Sequence, residues 1–315
     1  MCGGAFRGAI SNMAAACTSL SRRAFLRASV AALAAGGLQA DEAPKRRSIR
    51  KGFFLSSFPD KKLPLLEQFK MIKEAGFEGV QPHALMDQEE ILRARDAAGL
   101  VIPSVAVGGE TLSIGNPDPV VRGRAVKALK LALQDAKRYG AGLVLAFAGG
   151  VDEKVGYAEN WEHSQAGIRE ALPLAAELGV KITIENVWNN FLLSPLEMAR
   201  YVDEFSSPWV GINFDIGNVM SIGWPEQWIH TLGKRIDLVH VKEFSRKKYE
   251  EEGLRKGLQV EYLEGDNNWP AIMHALDEIG WTGWAVAEPA YRPPGVEAAE
   301  RLRQISEKWD RIAAS

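Results

Sequence analysis

The chain has 315 residues, of which 46% are hydrophobic and 25% charged, and its formal net charge is −2. This is the composition of a globular protein, and it excludes a disordered chain. The near-zero charge provides no electrostatic attraction to nucleic acid or to an anionic membrane. Both cysteines, Cys2 and Cys17, lie close to the N-terminus, so the rest of the chain has no disulfide framework and no cysteine nucleophile. A metal site there must use carboxylate, imidazole or amide ligands.

The first forty residues have the features of an export signal. They contain four arginines and no Asp, Glu or Lys, and the pair Arg22-Arg23 precedes the small-residue apolar stretch Ala28–Leu38. This pattern resembles a twin-arginine signal peptide with cleavage after Ala40. We therefore predict a signal peptide over residues 1–40, a mature domain over 41–315 with a net charge of about −6, and a periplasmic or otherwise exported location. The apolar run is shorter than the ~20 residues of a membrane span, so no stable membrane insertion is expected after cleavage. Translation from Met13 instead of Met1 stays open.

The mature chain alternates short apolar runs with longer amphipathic segments. In chain order, the predicted strands are Gly52–Leu55, Gly79–Gln81, Ile102–Val107, Leu143–Phe147, Lys181–Ile184, Val210–Phe214, Leu238–Val241 and Trp284–Ala287. The predicted helices between and after them are Leu63–Glu74, Gln88–Ala98, Pro119–Tyr139, Trp161–Leu178, Pro195–Glu204, Pro225–Leu232, Pro270–Ile279 and Val296–Ile312. Several helices begin at proline and several are followed by glycine, as helix boundaries commonly do.

The strands are continuous apolar runs, which is typical of parallel strands buried on both faces. Eight strands alternating with eight helices in about 270 residues predict a (β/α)8 TIM barrel. The competing layout is a doubly wound open sheet. That layout requires a glycine-rich turn after the first strand, and Ser56-Ser57 occupies this place.

Four consecutive predicted strands end in residue types that commonly bind metals. These residues are Glu185, Asp215, His240 and Glu288. One carboxylate at a strand end is readily explained as a cap of the following helix. Three carboxylates and an imidazole meeting at one rim would leave uncompensated charge unless a cation lay between them. Oxygen-rich ligation with one nitrogen suits Mn2+, Mg2+ or Co2+. We predict one divalent metal, with Mn2+ preferred and Mg2+, Co2+ or Zn2+ as alternatives; helix caps and salt bridges are the competing interpretation.

These strand ends resemble the xylose isomerase-like barrel superfamily, in particular the sugar phosphate isomerase/epimerase group that includes the ketose 3-epimerases. The resemblance spans nearly all of the mature chain. It implies that the four strand-end residues bind the metal, that Glu185 and Glu288 form the catalytic acid/base pair, and that Arg246 binds substrate. Asn218 and Phe191 stand where the 3-epimerases have a His and a Glu. The ketohexose specificity of that group is therefore not implied.

Further candidate substrate contacts on the same rim are His83, Asn186, Asn218 and Lys242. Lys242 lies two residues beyond His240, so both side chains point to the same face of a strand. We expect Lys242 to bind an acidic or oxidised substrate, or to pair with Glu288 or Glu243.

The resemblance implies a metal-dependent sugar isomerase or epimerase that abstracts a proton next to a carbonyl and passes through an enediolate. The same groups suit elimination, so a lyase or hydratase acting on a 3-keto-glycoside or keto-inositol is the alternative. The expected partner is a small-molecule sugar, unphosphorylated or oxidised, and a homo-oligomer stays open. The acidic charge and Asn218 argue against a nuclease and against nucleic acid as a partner. A non-catalytic sugar-binding protein would not need the two glutamates.

Overall fold

The structure is a computed structural model, and it describes residues 48–315. The predicted signal peptide and its cleavage site lie outside the described residues. Within residues 48–315, eight short apolar segments form strands: β1 Ile49–Phe54, β2 Gly79–Gln81, β3 Ser104–Ala106, β4 Leu143–Ala146, β5 Lys181–Glu185, β6 Val210–Asp215, β7 Ile236–Val241 and β8 Gly283–Ala287.

All strand pairs are parallel, in the order β2-β1-β8-β7-β6-β5-β4-β3. Two isolated bridges, Gly79 to Val101 and His83 to Ala106, link the ends of this sheet. The sheet is thereby a nearly closed barrel with helices between its strands, which confirms the predicted (β/α)8 TIM barrel. The strand interiors are buried on both sides, as the continuous apolar runs require.

The helices are α1 Leu65–Glu74, α2 Gln88–Ala98, α3 Pro119–Tyr139, α4 Tyr157–Leu178, α5 Pro195–Asp203, α6 Ile216–Val219, α7 Pro225–Leu232, α8 Arg246–Glu252, α9 Leu254–Gly257, α10 Trp269–Glu278 and α11 Ala298–Ala313. The sequence did not predict α6, α8 and α9, which follow β6 and β7. These helices have seven residues or fewer, too few to show an apolar period. In the described part of the chain, no helix is both long and apolar enough to cross a membrane.

Two ion pairs, of which the one between Arg301 and Glu261 is buried, fix the last helix, α11, beside the barrel. The Lys51 ammonium in β1 contacts Asp310 at 2.6 Å and donates to the Ser306 carbonyl at 2.8 Å. Arg301, which is 3% exposed, pairs with Glu261 in the segment before α10 and also donates to the Tyr291 carbonyl at 3.1 Å. These contacts hold the segments that follow β7 and β8, which are the segments bordering the site described next.

Candidate metal centre

The carboxyl ends of β5 to β8 bring three carboxylates and one imidazole together. Each of Glu185, Asp215, His240 and Glu288 offers one ligand atom, and these four atoms lie within 4.8 Å of one another. Glu185 ends β5, Asp215 ends β6, His240 lies in β7 and Glu288 directly follows β8. Asp215 and His240 are fully buried, Glu185 is 6% exposed, and the Glu288 side chain is 19% exposed. The residues predicted as ligands are therefore neighbours in space at one end of the barrel.

A register shift between β6 and β7 places Asp215 beside His240. Ile212 pairs with Ile236, but the next residue, Asn213, pairs with Leu238, so one residue of β7 is skipped. A one-residue shift changes which side chains of two paired strands share a face. Asp215 then lies opposite His240 in the ladder, and the ligand atoms of both side chains belong to the same cluster. Without the shift, Asp215 would pair with Val239, whose side chain lies on the opposite face of β7 from His240.

The Nδ1 atom of His240 makes short contacts but no hydrogen bond. Its Nδ1 lies 2.7 Å from Glu288 Oε2 and 3.0 Å from Glu185 Oε1. Neither contact has hydrogen-bond angles, and Nδ1 has no hydrogen-bond partner among the described residues. A buried nitrogen that converges with carboxylate oxygens at angles unsuited to hydrogen bonds is arranged as a metal ligand is. The donor set of three carboxylates and one imidazole fits a hard divalent cation.

Lys242 provides a positive charge at the edge of this group. Its Nζ lies 2.6 Å from Asp215 Oδ2 and 2.9 Å from Glu288 Oε1, and its side chain is 8% exposed. Of the two pairings considered from the sequence, the structure shows the one with Glu288. Glu243 points elsewhere and accepts hydrogen bonds from the Leu263 backbone and the Trp269 indole, each at 2.8 Å.

The surroundings shift the pKa values of the two glutamates in opposite directions in the metal-free protein. Burial raises the pKa of Glu185 to about 7. Burial would also raise the pKa of Glu288, but the Lys242 ammonium and His240 outweigh it and lower this pKa to about 2. The pKa of Asp215 is raised by burial. Burial opposes the charge on His240, yet the carboxylates of Glu185 and Glu288 raise the His240 pKa to about 10. Such a split between two carboxyl groups is characteristic of acid/base sites.

Asn186 and Asn218 hold Asp215 in place. The Asn186 side chain accepts from the Asp215 amide and donates to the Asp215 carbonyl, both at 2.8 Å. The backbone N–H of Asn218 donates to Asp215 Oδ1 at 2.9 Å. The side-chain NH2 group of Asn218 donates to the backbone carbonyl of Asn186 at 3.0 Å. Asn218 Oδ1 lies 3.5 Å from the Lys242 ammonium. Both asparagines thus border the cluster, and their contact with a substrate stays a prediction.

His83 and Arg246 lie further from the ligand atoms. His83 hydrogen-bonds the Ser56 hydroxyl, and the Phe54 ring is 5.4 Å from the His83 ring and 5.5 Å from the His240 ring. The Arg246 guanidinium donates to the Gly223 carbonyl at 2.6 Å and stacks 5.0 Å from the Trp224 ring. These contacts tie Arg246 to the loop after β6, and its predicted substrate contact also stays a prediction.

Two residues of the site were not singled out from the sequence. Gln81, the last residue of β2, places its Oε1 2.7 Å from His240 Nε2. Asn213 in β6 donates from its side chain to Glu185 Oε1 at 3.4 Å. Applying the strand-end argument to the polar residue at the end of β2 would have pointed to Gln81. Asn213 lies inside an apolar run and gave no comparable signal.

Comparison with known proteins identifies the family. The sequence model described as "Xylose isomerase-like TIM barrel" matches residues 69–309. Inosose dehydratase of Clostridium perfringens is 26% identical over 166 residues, which is 48% of this chain and 55% of that protein. The matched segments cover less than two thirds of the length of the curated relatives.

Solved structures of sugar epimerases share the fold. The apo 3-keto-D-glucoside 4-epimerase of E. coli has a TM-score of 0.68 at 18% identity, covering 84% of this chain and 99% of that one. An L-ribulose 3-epimerase has a TM-score of 0.71 at 16% identity, covering 84% and 94%. At these identities the likeness establishes the fold alone. With the family match spanning most of the chain, the protein belongs to the xylose isomerase-like TIM barrel family.

Proposed function

We propose that the protein is a divalent-metal-dependent sugar isomerase or epimerase. Glu185, Asp215, His240 and Glu288 would hold one metal ion, with Mn2+ preferred over Mg2+, Co2+ or Zn2+. The observation that carries this proposal is the convergence of four ligand atoms within 4.8 Å, with His240 Nδ1 left without a hydrogen bond. The sugar epimerases that share the fold support the reaction class.

The two glutamates would exchange protons with the substrate. A divalent cation bound here would supply positive charge to offset the negative charge that develops on substrate oxygens when a neighbouring carbon loses its proton. Glu185 is buried, which raises its pKa to about 7 in the metal-free protein, and its carboxylate would take up and return the substrate proton. Glu288 is kept ionised by the Lys242 ammonium and is suited to act as the partner carboxylate.

The substrate would be an unphosphorylated or oxidised sugar. The Lys242 ammonium lies beside the ligand carboxylates, where it is suited to contact an acidic or oxidised substrate group. His83, Arg246, Asn186 and Asn218 complete the proposed set of substrate contacts. We also propose export by the twin-arginine route, which lets the site take up its metal in the cytoplasm before Cu2+ or Zn2+ can compete. Cell fractionation of the full chain and of an Arg22→Lys, Arg23→Lys variant tests the export.

The test of the activity begins with elemental analysis of the purified protein. We expect one equivalent of divalent metal per chain. Keto- and aldo-sugars are then incubated with the protein in deuterated water, and solvent deuterium is expected at the carbon next to the carbonyl. An EDTA-treated sample provides the control. Protein without a bound divalent metal, or without exchange on any sugar of the panel, contradicts the proposal.

A lyase is the second candidate, favoured by the curated relatives whose name is inosose dehydratase. Elimination begins with the same proton abstraction but expels the group on the next carbon. It therefore gives an unsaturated ketone with ultraviolet absorbance, and the substrate loses water (from a keto-inositol) or its aglycone (from a 3-keto-glycoside). The deuterium experiment separates the two candidates, because epimerisation changes neither the composition nor the saturation of the sugar.

A further inference from the structure

The His240 ring is contacted on both nitrogens, and one partner lies on a distant strand. Nδ1 faces the carboxylates of Glu185 and Glu288, whereas Nε2 faces Gln81 Oε1 at 2.7 Å. Gln81 ends β2, which is separated from β7 by β1 and β8 around the barrel. It is fully buried, so solvent does not compete for its side-chain amide.

The Gln81 amide makes a second contact on its other side. Its Nε2 donates to the hydroxyl of Ser104 in β3 at 3.1 Å, and Ser104 is also fully buried. In this orientation the carbonyl oxygen is the atom that faces His240. A carboxamide oxygen only accepts hydrogen bonds, so the facing His240 Nε2 must carry a hydrogen.

We infer that Gln81 is a positioning residue that assigns metal binding to Nδ1 of His240. A neutral imidazole has one N–H, and a hydrogen held at Nε2 leaves the lone pair on Nδ1. That nitrogen is the one within 3.0 Å of two ligand carboxylates. The Phe54 ring, 5.5 Å from the His240 ring, packs against its face and helps fix its plane. This inference rests on the proposed metal site.

The neutrality of Gln81 matches the charge of the site. Three carboxylates and the Lys242 ammonium carry a net charge of minus two, which one divalent cation balances. A carboxylate in place of Gln81 would orient the ring equally well but would add another negative charge. Gln81 accepts the hydrogen bond without that charge. Gln81→Glu keeps the acceptor and is therefore expected to bind a divalent metal at least as tightly as the wild type.

The test measures Mn2+ binding to metal-stripped protein at pH 7.5, with free Mn2+ followed by electron paramagnetic resonance. Gln81→Met keeps the volume but removes the acceptor, and we expect its Kd for Mn2+ to rise about 10- to 100-fold. Gln81→Asn, which withdraws the oxygen by one methylene group, should weaken binding in the same direction. Gln68→Met, at the buried Gln68 of α1, is the matched control and should stay within about threefold of the wild type. The visible spectrum of the Co2+-loaded proteins reports the ligand environment independently of affinity.

Circular dichroism identifies the variants that fold. If Gln81→Met does not fold, the Mn2+ affinity of Gln81→Asn tests the positioning role instead. Weakened binding in the acceptor-free variant, with binding retained in Gln81→Glu, supports the positioning role. Wild-type affinity and an unchanged Co2+ spectrum in Gln81→Met or Gln81→Asn overturn that role alone. A wild-type protein that takes up neither metal overturns the proposed metal site together with it.

Discussion

Replacing Lys242 by methionine removes the positive charge that the structure places between two ligand carboxylates. Its Nζ contacts Asp215 Oδ2 at 2.6 Å and Glu288 Oε1 at 2.9 Å, and all three groups are largely buried. Methionine keeps most of the side-chain volume, so the change acts chiefly on charge. We expect the metal-free protein to be destabilised and its affinity for divalent metal to increase.

The magnitude follows from the distances and the burial. Two unit charges 2.6 Å apart attract by about 6 kcal/mol at an effective dielectric constant of 20, and desolvation of the ammonium opposes this attraction. Removing one partner of a buried pair usually destabilises a protein by about 3–5 kcal/mol. Because Lys242 serves two carboxylates, we expect the upper part of that range, which corresponds to a fall in Tm of roughly 10 °C.

Metal binding should offset this loss, because a divalent cation compensates the same carboxylates. The free energy of unfolding is measured by urea denaturation at pH 8, in EDTA and in excess Mn2+. We expect the loss in Mn2+ to be smaller by at least about 1.4 kcal/mol, which by linkage equals at least a tenfold lower Kd for Mn2+. Lys181→Met is the control, since Lys181 pairs with Asp237 at 2.6 Å at the opposite end of β5.

The Lys181→Met variant should lose the same stability with and without Mn2+. An equal loss for Lys242→Met in the two conditions would refute the electrostatic coupling between Lys242 and the metal site. Weaker Mn2+ binding by that variant would refute it as well, and would point to Lys242 as a group that merely holds the ligands in place.

Three further predictions concern the ligand cluster and one buried ion pair outside it. Glu185→Gln should abolish turnover while circular dichroism and Tm stay close to those of an exposed control, Glu300→Gln; retained turnover contradicts the assigned acid/base role. The pKa of Glu185 is raised to about 7 and that of His240 to about 10, so these two groups bind more protons in the folded metal-free protein than in the unfolded chain between about pH 4.5 and 10. Its Tm in EDTA should therefore fall as the pH rises from 5 to 9, and the stabilisation by Mn2+ should grow; a rising Tm in EDTA would contradict these protonation states. Arg301→Met should lower the free energy of unfolding by about 3 kcal/mol without changing Mn2+ affinity, because the buried pair with Glu261 lies outside the ligand cluster.

The barrel was predictable from the sequence because its signals are local and repeated. Continuous apolar runs identify strands that are buried on both faces, and proline and glycine mark many of the helix boundaries. The strand-end argument likewise names four groups that the structure brings within 4.8 Å of one another. That argument needs only the rule that parallel strands present their carboxyl ends at one rim of a barrel.

The contacts around those four groups were not predictable, because they depend on register and on distant partners. The skipped residue between β6 and β7 has no local sequence signature, yet it decides that Asp215 lies opposite His240. Gln81 reaches His240 from a strand 159 residues away in sequence. The choice of Lys242 between Glu288 and Glu243 depends on Trp269 and the Leu263 backbone, which occupy the Glu243 carboxylate.

The charges of the site explain why its two glutamates differ. Glu288 contacts both Lys242 and His240, and these positive groups keep its carboxyl group ionised. Glu185 has His240 as its cationic neighbour but makes no contact with the Lys242 ammonium, so burial dominates and its pKa rises. A divalent cation among the four ligand atoms would displace the proton from His240 and favour ionised Glu185, because metal ligands bind in their deprotonated forms. The position of Lys242 beside only one of the two glutamates is therefore the structural origin of their different pKa values in the metal-free protein.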